Sequence, residues 1–281
     1  MSMDRRQFLK IAGISSVLGL GATAASATHP LWIQGLDPGQ VDKNREALTA
    51  KRWAMVVDMS KFKTEEDLKK VIDACHLTHN VPDFRNADGS VNKKDEIKWI
   101  WEAPFEKTFP GQDNKYMSEH LKDMPFLVAC NHCENPPCVR VCPTKATFKL
   151  PNGITMQDMH RCIGCRFCMA ACPYGSRSFN WRDPRGKNPS GEPFIKNENK
   201  EYPLRTKGVV EKCIFCTERL AVGKLPACVE AAPAGGLLFG DLEDPNSEIR
   251  KIVTNQYTIR RKSDLGTGPA IYYIVGGGDH A

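Results

Sequence analysis

The chain has 281 residues, of which 41% are hydrophobic and 26% are charged. This composition is typical of a globular protein of one or two domains and excludes a disordered tail or a collagen-like fibre. The formal net charge of +6 is partly concentrated in the first residues, so it is too diffuse to indicate nucleic-acid binding. The 12 cysteines are the unusual feature, because a chain of this length can fold without disulfides.

The first 27 residues have the pattern of an export signal. Arg5 and Arg6 precede Phe-Leu-Lys, a weakly apolar run follows, and the segment ends in Ala25-Ser26-Ala27. A basic start, an apolar centre and an A-x-A end are typical of a signal peptide, and adjacent arginines indicate the twin-arginine type. We therefore expect a periplasmic or extracytoplasmic protein that is exported folded, with its cofactors inserted. The sequence has no run of about 20 apolar residues, so it predicts no conventional spanning helix.

Short elements between loops are predicted after the signal. Trp53 to Asp58 is a candidate strand, and Thr64 begins a helix that places Leu68 and Cys75 on one face. Further strands are expected at residues 97–101 and 271–275. Pro- and Gly-rich segments separate these elements. The pattern predicts an α+β fold of short helices and β-hairpins with loop-rich insertions.

Two cysteine runs have the spacing of an iron–sulfur protein. Each run contains three thiols at short intervals, then a fourth followed by proline; the runs are Cys130, Cys133, Cys138, Cys142 and Cys162, Cys165, Cys168, Cys172. In this bacterial ferredoxin pattern the fourth cysteine binds the neighbouring cluster. We therefore predict one [4Fe-4S] cluster on Cys130, Cys133, Cys138 and Cys172, and a second on Cys162, Cys165, Cys168 and Cys142. Gly164 would let backbone N–H groups approach the cluster sulfurs.

Disulfides and zinc are the rival interpretations of these runs. An exported chain can carry disulfides, but they do not require C-x2-C-x2-C followed by Cys-Pro. Structural zinc sites usually pair two C-x2-C motifs and have no Cys-Pro end. A zinc or disulfide scaffold would be colourless, whereas an iron–sulfur protein is brown.

A third group consists of Cys213, Cys216 and Cys228, with Ala232-Pro233 where the pattern has Cys-Pro. Counting back from Cys75 by the same spacing gives positions 65, 68 and 71, which hold no cysteine. We therefore predict that crossed ligation makes Cys75 the fourth ligand of a third [4Fe-4S] cluster on Cys213, Cys216 and Cys228. The alternative is that Cys75 is a buried free thiol, which leaves the third site with a non-cysteine ligand or three irons.

These predictions give two ferredoxin-like cluster-binding domains. One domain is the two-cluster segment 125–181, and the other forms when a degenerate ferredoxin half (53–80) pairs with a third cluster-binding half (207–245). The remaining segments are the signal peptide (1–27), an N-terminal extension (28–52), an insertion (81–124), a second insertion (182–206) and a C-terminal extension (246–281).

The cysteine motifs resemble a known family. Cys130-Asn-His-Cys133-Glu-Asn-Pro-Pro-Cys138, Cys162-Ile-Gly-Cys165 and the segment from Cys213 to Cys228 are similar to the four-cluster ferredoxin-type subunits of dimethyl sulfoxide, polysulfide and formate-linked nitrite reductase systems (the DmsB, PsrB and NrfC types). The lost fourth site, the twin-arginine start and the segment Trp99 to Phe105 are most similar to the DsrO-type subunits of DsrMKJOP complexes, which serve sulfur metabolism and sulfate reduction.

This resemblance implies an electron-transfer subunit with two kinds of partner. One is an NrfD-like, quinone-interacting membrane subunit of the DsrP type, and the other is a multihaem cytochrome c of the DsrJ type. The alternative is the iron–sulfur subunit of a molybdopterin reductase (polysulfide, dimethyl sulfoxide or tetrathionate type) or of a periplasmic hydrogenase. No catalytic motif is found, and fully cysteine-ligated iron has no open position for a substrate.

Other residues near the cysteines carry weaker signals. His132 and His160 are expected to be solvated or to lie behind the ligands, and His76 and His79 to be surface or loop residues. Trp99 and Trp101 either face a partner or pack in a half-buried strand. A basic group near the cysteines could raise cluster potentials or bind an acidic cytochrome, or be solvated; its members are Lys145, Arg161, Arg166 and Arg177.

Overall fold

The structure is a computed structural model that describes residues 44, 46–86, 88, 90, 91 and 93–274. The predicted signal peptide lies outside these residues. The strands are β1 (Trp53–Asp58), β2 (Ile100–Pro104), β3 (Pro125–Ala129), β4 (Thr147–Lys149), β5 (Thr155–Gln157), β6 (Ser178–Phe179), β7 (Val210–Glu211), β8 (Leu237–Asp241) and β9 (Ile271–Ile274). The helices are α1 (Glu65–Thr78), α2 (Phe105–Thr108), α3 (Glu119–Asp123), α4 (Pro137–Arg140), α5 (Phe167–Ala171), α6 (Thr217–Leu220), α7 (Ala227–Ala231) and α8 (Glu248–Asn255). Short 3₁₀ turns cover Met59–Lys61 and Ser263–Leu265.

A three-stranded sheet joins distant parts of the chain. Strand β1 is central, antiparallel to β8 and parallel to β9, with Met55 opposite Phe239 on one side and Ile271 on the other. Its apolar sequence Trp-Ala-Met-Val-Val is buried on both faces, which suits a central strand. Helix α8 packs on β8 and β1. The other strands form the antiparallel pairs β2–β3, β4–β5 and β6–β7.

Helix α1 carries Cys75 to the third cysteine group. The Thr64 side chain accepts a hydrogen bond from the backbone N–H of Asp67, and the Asp67 carboxylate accepts one from the backbone N–H of Thr64. This capping box fixes the start of the helix, as the sequence predicts. The apolar face buries Leu68, Val71 and Cys75, and the helix packs against α7, which holds Cys228.

Aromatic side chains fill much of the main core. Phe109 contacts Phe126 and Tyr273 edge-on, with ring centroids 5.2 and 5.1 Å apart. Both neighbours lie on strands, Phe126 on β3 and Tyr273 on β9, so the rings join the β2–β3 pair to the central sheet. Trp99 is fully buried in the same core.

The α+β prediction is confirmed, and two local predictions are corrected. The strand expected at residues 97–101 runs instead over Ile100–Pro104, because its partner β3 pairs Ile100 with Ala129 and continues to Pro104. Trp99 precedes that strand and is not available to a partner. Residues 44–281 cluster as one compact unit, and the division into two ferredoxin-like domains stays a prediction. Within the described residues no helix is both long and apolar enough to cross a membrane.

Candidate iron–sulfur sites

The three C-x-x-C loops share a left-handed residue at the same position. In each loop the residue before the second cysteine has a positive φ, which is 40° at His132, 71° at Gly164 and 53° at Phe215. Only one of the three is glycine, although the left-handed region is costly for larger residues. His132 and Phe215 therefore adopt a left-handed conformation that their side chains do not favour.

The Cys-Pro turns also repeat, including the one that lacks cysteine. The third residue after Cys142 is Lys145, with φ 56°, and the third after Cys172 is Gly175, with φ 64°. The third after Ala232 is Gly235, with φ 77°. Ala232 therefore occupies the backbone position of a fourth cysteine.

The first predicted ligand set surrounds one cavity. Cys130, Cys133, Cys138 and Cys172 line an empty volume of about 320 Å³. Burial, followed by the nearby Cys130 thiol, raises the pKa of Cys133 to about 12. A thiol in such a position is protonated without a metal ion, and a bound cation would supply the charge that favours the thiolate.

The second predicted set surrounds another cavity. Cys142, Cys162, Cys165 and Cys168 line an empty volume of about 270 Å³. Burial acts to raise the pKa of Cys142, but hydrogen bonds from the backbone N–H groups of the turn, Thr147 first, hold that pKa below its ordinary value. The turn thus favours negative charge on this sulfur, as ligand sulfur requires.

The third predicted set combines Cys75 with three cysteines that lie far from it along the chain, Cys213, Cys216 and Cys228. Helix α1, which holds Cys75, packs against α7, which holds Cys228. Burial raises the pKa of Cys75 well above its ordinary value, and the thiols of Cys228, Cys216 and Cys213 raise it further, in that order. Negative charge on those three thiols would therefore disfavour a thiolate at Cys75. Cys75, Cys216 and Cys228 are buried and Cys213 is half-buried.

Nothing at the lost site can take the place of the missing thiols. Leu68 and Val71 are buried in the hydrophobic core, and Glu65 is exposed in the first turn of α1. The phenyl ring of Phe62 lies close to Gly236 just after the Ala232 turn. The described residues offer apolar packing here, not a ligand set.

The surroundings of a buried lysine, Lys212, fit an anionic cofactor at the neighbouring cysteines. Lys212 is fully buried, and its ammonium donates hydrogen bonds to the carbonyl oxygens of Thr155 and Cys213. Burial lowers its pKa, whereas the thiols of Cys130, Cys213 and Cys138 act to raise it. A buried charge without a counter-ion costs several kcal/mol, and no ion pair of Lys212 with a carboxylate is found in the described part of the chain. An anionic cluster at the adjacent thiols would supply that counter-ion.

Arg177 is a second buried cation beside the first site, whose cavity it lines. Its guanidinium is buried and donates hydrogen bonds to the Gln157 Oε1 atom, at 2.9 Å, and to the Thr147 Oγ1 atom, at 3.2 Å. Burial acts to lower its pKa, but the thiols of Cys138 and Cys168 outweigh burial and raise it. The expectation that Arg177 is near the cysteines is confirmed, and the alternative of a solvated charge is wrong for this residue.

Thiols of neighbouring sets also lie near one another. The Cys138 thiol acts on the pKa of Cys168, which joins the first set to the second. After burial, the Cys130 thiol is the largest cause that raises the pKa of Cys213, which joins the first set to the third. Cys138 and Cys168 also pack in one buried cluster, and His132 in the loop of the first set stacks on Phe215 in the loop of the third. The first set is therefore adjacent to both of the others.

Two histidine predictions need correction. His79 is buried, stacks on Trp99 with 4.4 Å between ring centroids, and places its Nε2 atom 2.9 Å from Oε1 of Glu218. His76 is partly buried. Their placement reflects the length of α1, because His76 lies in its last turn and His79 directly follows its end at Thr78. His160 is exposed, as expected.

His132 is buried between two cysteine loops. Its Nδ1 atom accepts a hydrogen bond from the backbone N–H of Thr155 at 3.1 Å. Burial, followed by the charges of Lys212 and Arg177, holds the pKa of His132 well below its ordinary value, so this imidazole is neutral. Lys212, Glu211 and Glu218 belong to no motif that could mark them as functional in the sequence.

Glu211 anchors the polar side of the core near these sites. Its carboxylate is fully buried, accepts a hydrogen bond from Trp99 Nε1 at 2.9 Å and pairs with Arg205 at 2.6 Å. A buried ion pair whose oxygens are further hydrogen-bonded avoids the cost of an unpaired charge. Glu211 thereby fixes the indole of Trp99 by a hydrogen bond and anchors the end of strand β7, two residues before Cys213.

The chain is similar to curated proteins over nearly its whole length. Residues 124–188 match the family described as "4Fe-4S dicluster domain". The chain is 38% identical to the Hdr-like menaquinol oxidoreductase iron-sulfur subunit 1 of Archaeoglobus fulgidus over 99% of this chain and 100% of that protein. It is 33% identical to NrfC of Escherichia coli over 98% and 96% of the two chains. It is also 33% identical to the menaquinone reductase iron-sulfur cluster-binding subunit of Nitratidesulfovibrio vulgaris over 79% and 88%.

Proposed function

Because the chain belongs to the ferredoxin-type family of iron–sulfur electron-transfer subunits, we propose that it carries three [4Fe-4S] clusters and relays electrons between a quinone-interacting membrane subunit and a periplasmic redox partner. The observation that carries this proposal is the packing of α1, which holds Cys75, against α7, which holds Cys228, with both cysteines in the same buried core. With Cys213 and Cys216 they make up the four cysteines left by the two ferredoxin runs, so every cysteine of the chain has a site.

Bound clusters of this kind accept and release one electron at a time. The residues of the chain provide the surroundings that this exchange requires. The cysteine thiolates would hold the iron, backbone N–H groups at the Cys142 turn would stabilise negative charge on sulfur, and Lys212 and Arg177 would offset the buried negative charge. Because the first set adjoins both others, it is the middle site of a relay, with the second and third sets at its ends.

Iron and acid-labile sulfide per chain test the cluster count. We expect about twelve irons, four for each of three cubanes. The Cys75→Ser variant should lose or convert one cluster and keep the other two, while Ala74→Ser on the same helix keeps all three. About sixteen irons in the wild type would show that the lost site is filled. Unaltered iron and electron paramagnetic resonance spectra in Cys75→Ser would refute this ligand set.

We further propose that the complex is of the DsrMKJOP type, with an NrfD-like (DsrP-like) membrane subunit and a multihaem cytochrome (DsrJ-like). The lost fourth site and the full-length similarity to a subunit of an Hdr-like menaquinol oxidoreductase support this. Purification of the tagged chain from its native membranes should recover both partners. Recovery of a molybdenum-containing subunit instead would favour the alternative, which similarity to the tetrathionate and polysulfide reductase subunits over about half of this chain supports.

The proposed location depends on the first residues. Replacing Arg5 and Arg6 together by lysine should block twin-arginine export and leave a cluster-containing protein inside the cell. Fractionation of cells that produce the tagged chain measures this. Unchanged delivery of the variant to the periplasm would contradict the twin-arginine route.

A further inference from the structure

Large apolar side chains are exposed together around the second site. Their exposed fractions are 66% for Ile163, 59% for Phe167, 42% for Trp181 and 37% for Val141. Ile163 and Phe167 lie on the loop and helix that carry Cys162, Cys165 and Cys168, and Val141 directly precedes Cys142. Single exposed apolar residues need no explanation, but a group of them around one site indicates an interaction surface.

Trp181 joins this group through Arg166. The guanidinium of Arg166 lies over the Trp181 ring, 4.7 Å from its centroid, and over the Phe179 ring at 5.4 Å. Arg166 and Ile163 also line the cavity of the second cysteine set. The four exposed side chains and the cysteine loop therefore form one face, which we call the site-2 face.

The segment that carries the site-2 face is rich in basic residues. Asp158 is the only acidic residue between positions 135 and 182, and it is paired with Arg161, with 3.2 Å between Arg161 Nε and Asp158 Oδ2. Basic residues of the same segment are exposed around the apolar group: Arg140, Lys145, Arg161 and Arg166. An apolar centre within a basic rim complements a partner with an apolar centre and an acidic rim.

The second set is also more open than the third. Cys142, Cys162 and Cys165 are half-buried, whereas Cys75, Cys216 and Cys228 are buried. An electron-transfer partner needs to approach a redox centre closely, so the site-2 face is where the relay can exchange electrons with another protein.

We propose that the site-2 face is the docking surface for an electron-transfer protein with an acidic contact surface. This inference rests on the proposed function, because it needs clusters in the relay. The position of the face favours a redox protein over an anionic membrane surface, since lipid against Ile163 and Phe167 would cover the most open set of thiols. Basic charges would speed encounter with the partner, and the apolar side chains would hold it in place.

The test uses the full chain with its complete iron content. The reduced protein is mixed in a stopped-flow instrument with an acidic c-type cytochrome as the probe, at increasing salt concentrations. We expect the second-order rate constant to fall as salt increases, and Arg140→Glu and Trp181→Ser each to lower it about tenfold at low salt, because both side chains are exposed and neither lines the cavity of the second set. Lys251→Glu and Tyr257→Ser are matched controls, because both residues are exposed on or just after α8, which packs on the central sheet. The controls should react at the wild-type rate.

Two further measurements separate docking from other effects. Every variant should keep the wild-type iron content and reduce 1,4-benzoquinone, a small uncharged acceptor, at the wild-type rate. Wild-type rates with the cytochrome in both face variants, or no effect of salt, would overturn the docking proposal and leave the proposed function intact. A chain without iron would instead refute the proposed function. If the face variants lose binding to phosphatidylglycerol vesicles but not reactivity with the cytochrome, the face is a membrane surface and the proposal is wrong.

Discussion

The imidazole of His132 stacks on the ring of Phe215, with 3.7 Å between ring centroids and 18° between the ring planes. The stack joins the loop of the first cysteine set to that of the third, at the residue with positive φ in each loop. We expect Phe215→Ala to lower the free energy of unfolding by about 3 kcal/mol, because a fully buried ring is lost. Iron should be lost first from these two sites, as electron paramagnetic resonance during mild chelation would show. Phe215→Leu, which keeps more of the volume, should have a smaller effect, and equal effects would contradict this role.

Removal of the Lys212 charge is expected to lower the reduction potentials of two sites. The buried ammonium favours the reduced, more negative form of a cluster at the neighbouring thiols, so Lys212→Met should shift the potentials of the first and third sites downward by on the order of 100 mV. Redox titration followed by electron paramagnetic resonance measures each site. Lys212→Arg keeps the charge and should preserve the potentials. If Lys212→Met leaves all potentials at wild-type values, the ammonium is not a counter-ion of the sites.

Gly164 has no room for a side chain. Its φ is 71°, and an added Cβ would collide with the carbonyl oxygen of Gly208 and touch the Phe179 ring. Gly164→Ala should therefore destabilise the second site and lower the melting temperature. Gly175→Ala is the matched control, because Gly175 has a similar φ of 64° but open space around it, and it should cost only about 1 kcal/mol. Equal losses from the two variants would show that backbone conformation alone matters.

A cysteine at position 232 should not create a fourth cluster. Ala232 has the backbone position of a fourth ligand, but Leu68 and Val71 fill the facing position with buried aliphatic side chains. We expect Ala232→Cys to bind about twelve irons, as the wild type does. Iron and sulfide analysis measures this, and about sixteen irons in the variant would contradict it.

The sequence predicted elements whose pattern is local. Trp53–Asp58 is an uninterrupted apolar run, and Thr64 with Asp67 forms a cap within four residues, so both elements lie where expected. The two ferredoxin runs could be grouped into ligand sets because cluster chemistry fixes their spacing. The strand near Trp101 was misplaced because its limits depend on pairing with Pro125–Ala129, which follows it by a long loop.

The burial of several polar and charged residues could not be predicted from the sequence. Lys212 and Arg177 have the side chains of surface residues, and the thiols that act on their charge, Cys130 and Cys138, are distant along the chain. Glu211 pairs with Arg205 six residues before it, but no motif marks that pair as buried. His79 was expected at the surface for the same reason, since Trp99 and Glu218 become its neighbours only in the fold. The order of residue types along a chain does not show which polar side chains will meet in the fold, so it does not predict these buried contacts.

The packing of helix α1 against α7 has a consequence for how the protein is made. Cys75 leaves the ribosome long before Cys228, and the strand that follows Cys228 pairs with β1 ahead of α1. Under the proposed ligand set, iron can be loaded at this position only after Cys228 has been synthesised and α7 has packed against α1. Ribosome-bound nascent chains that stop before residue 228 would acquire metal at the other positions alone.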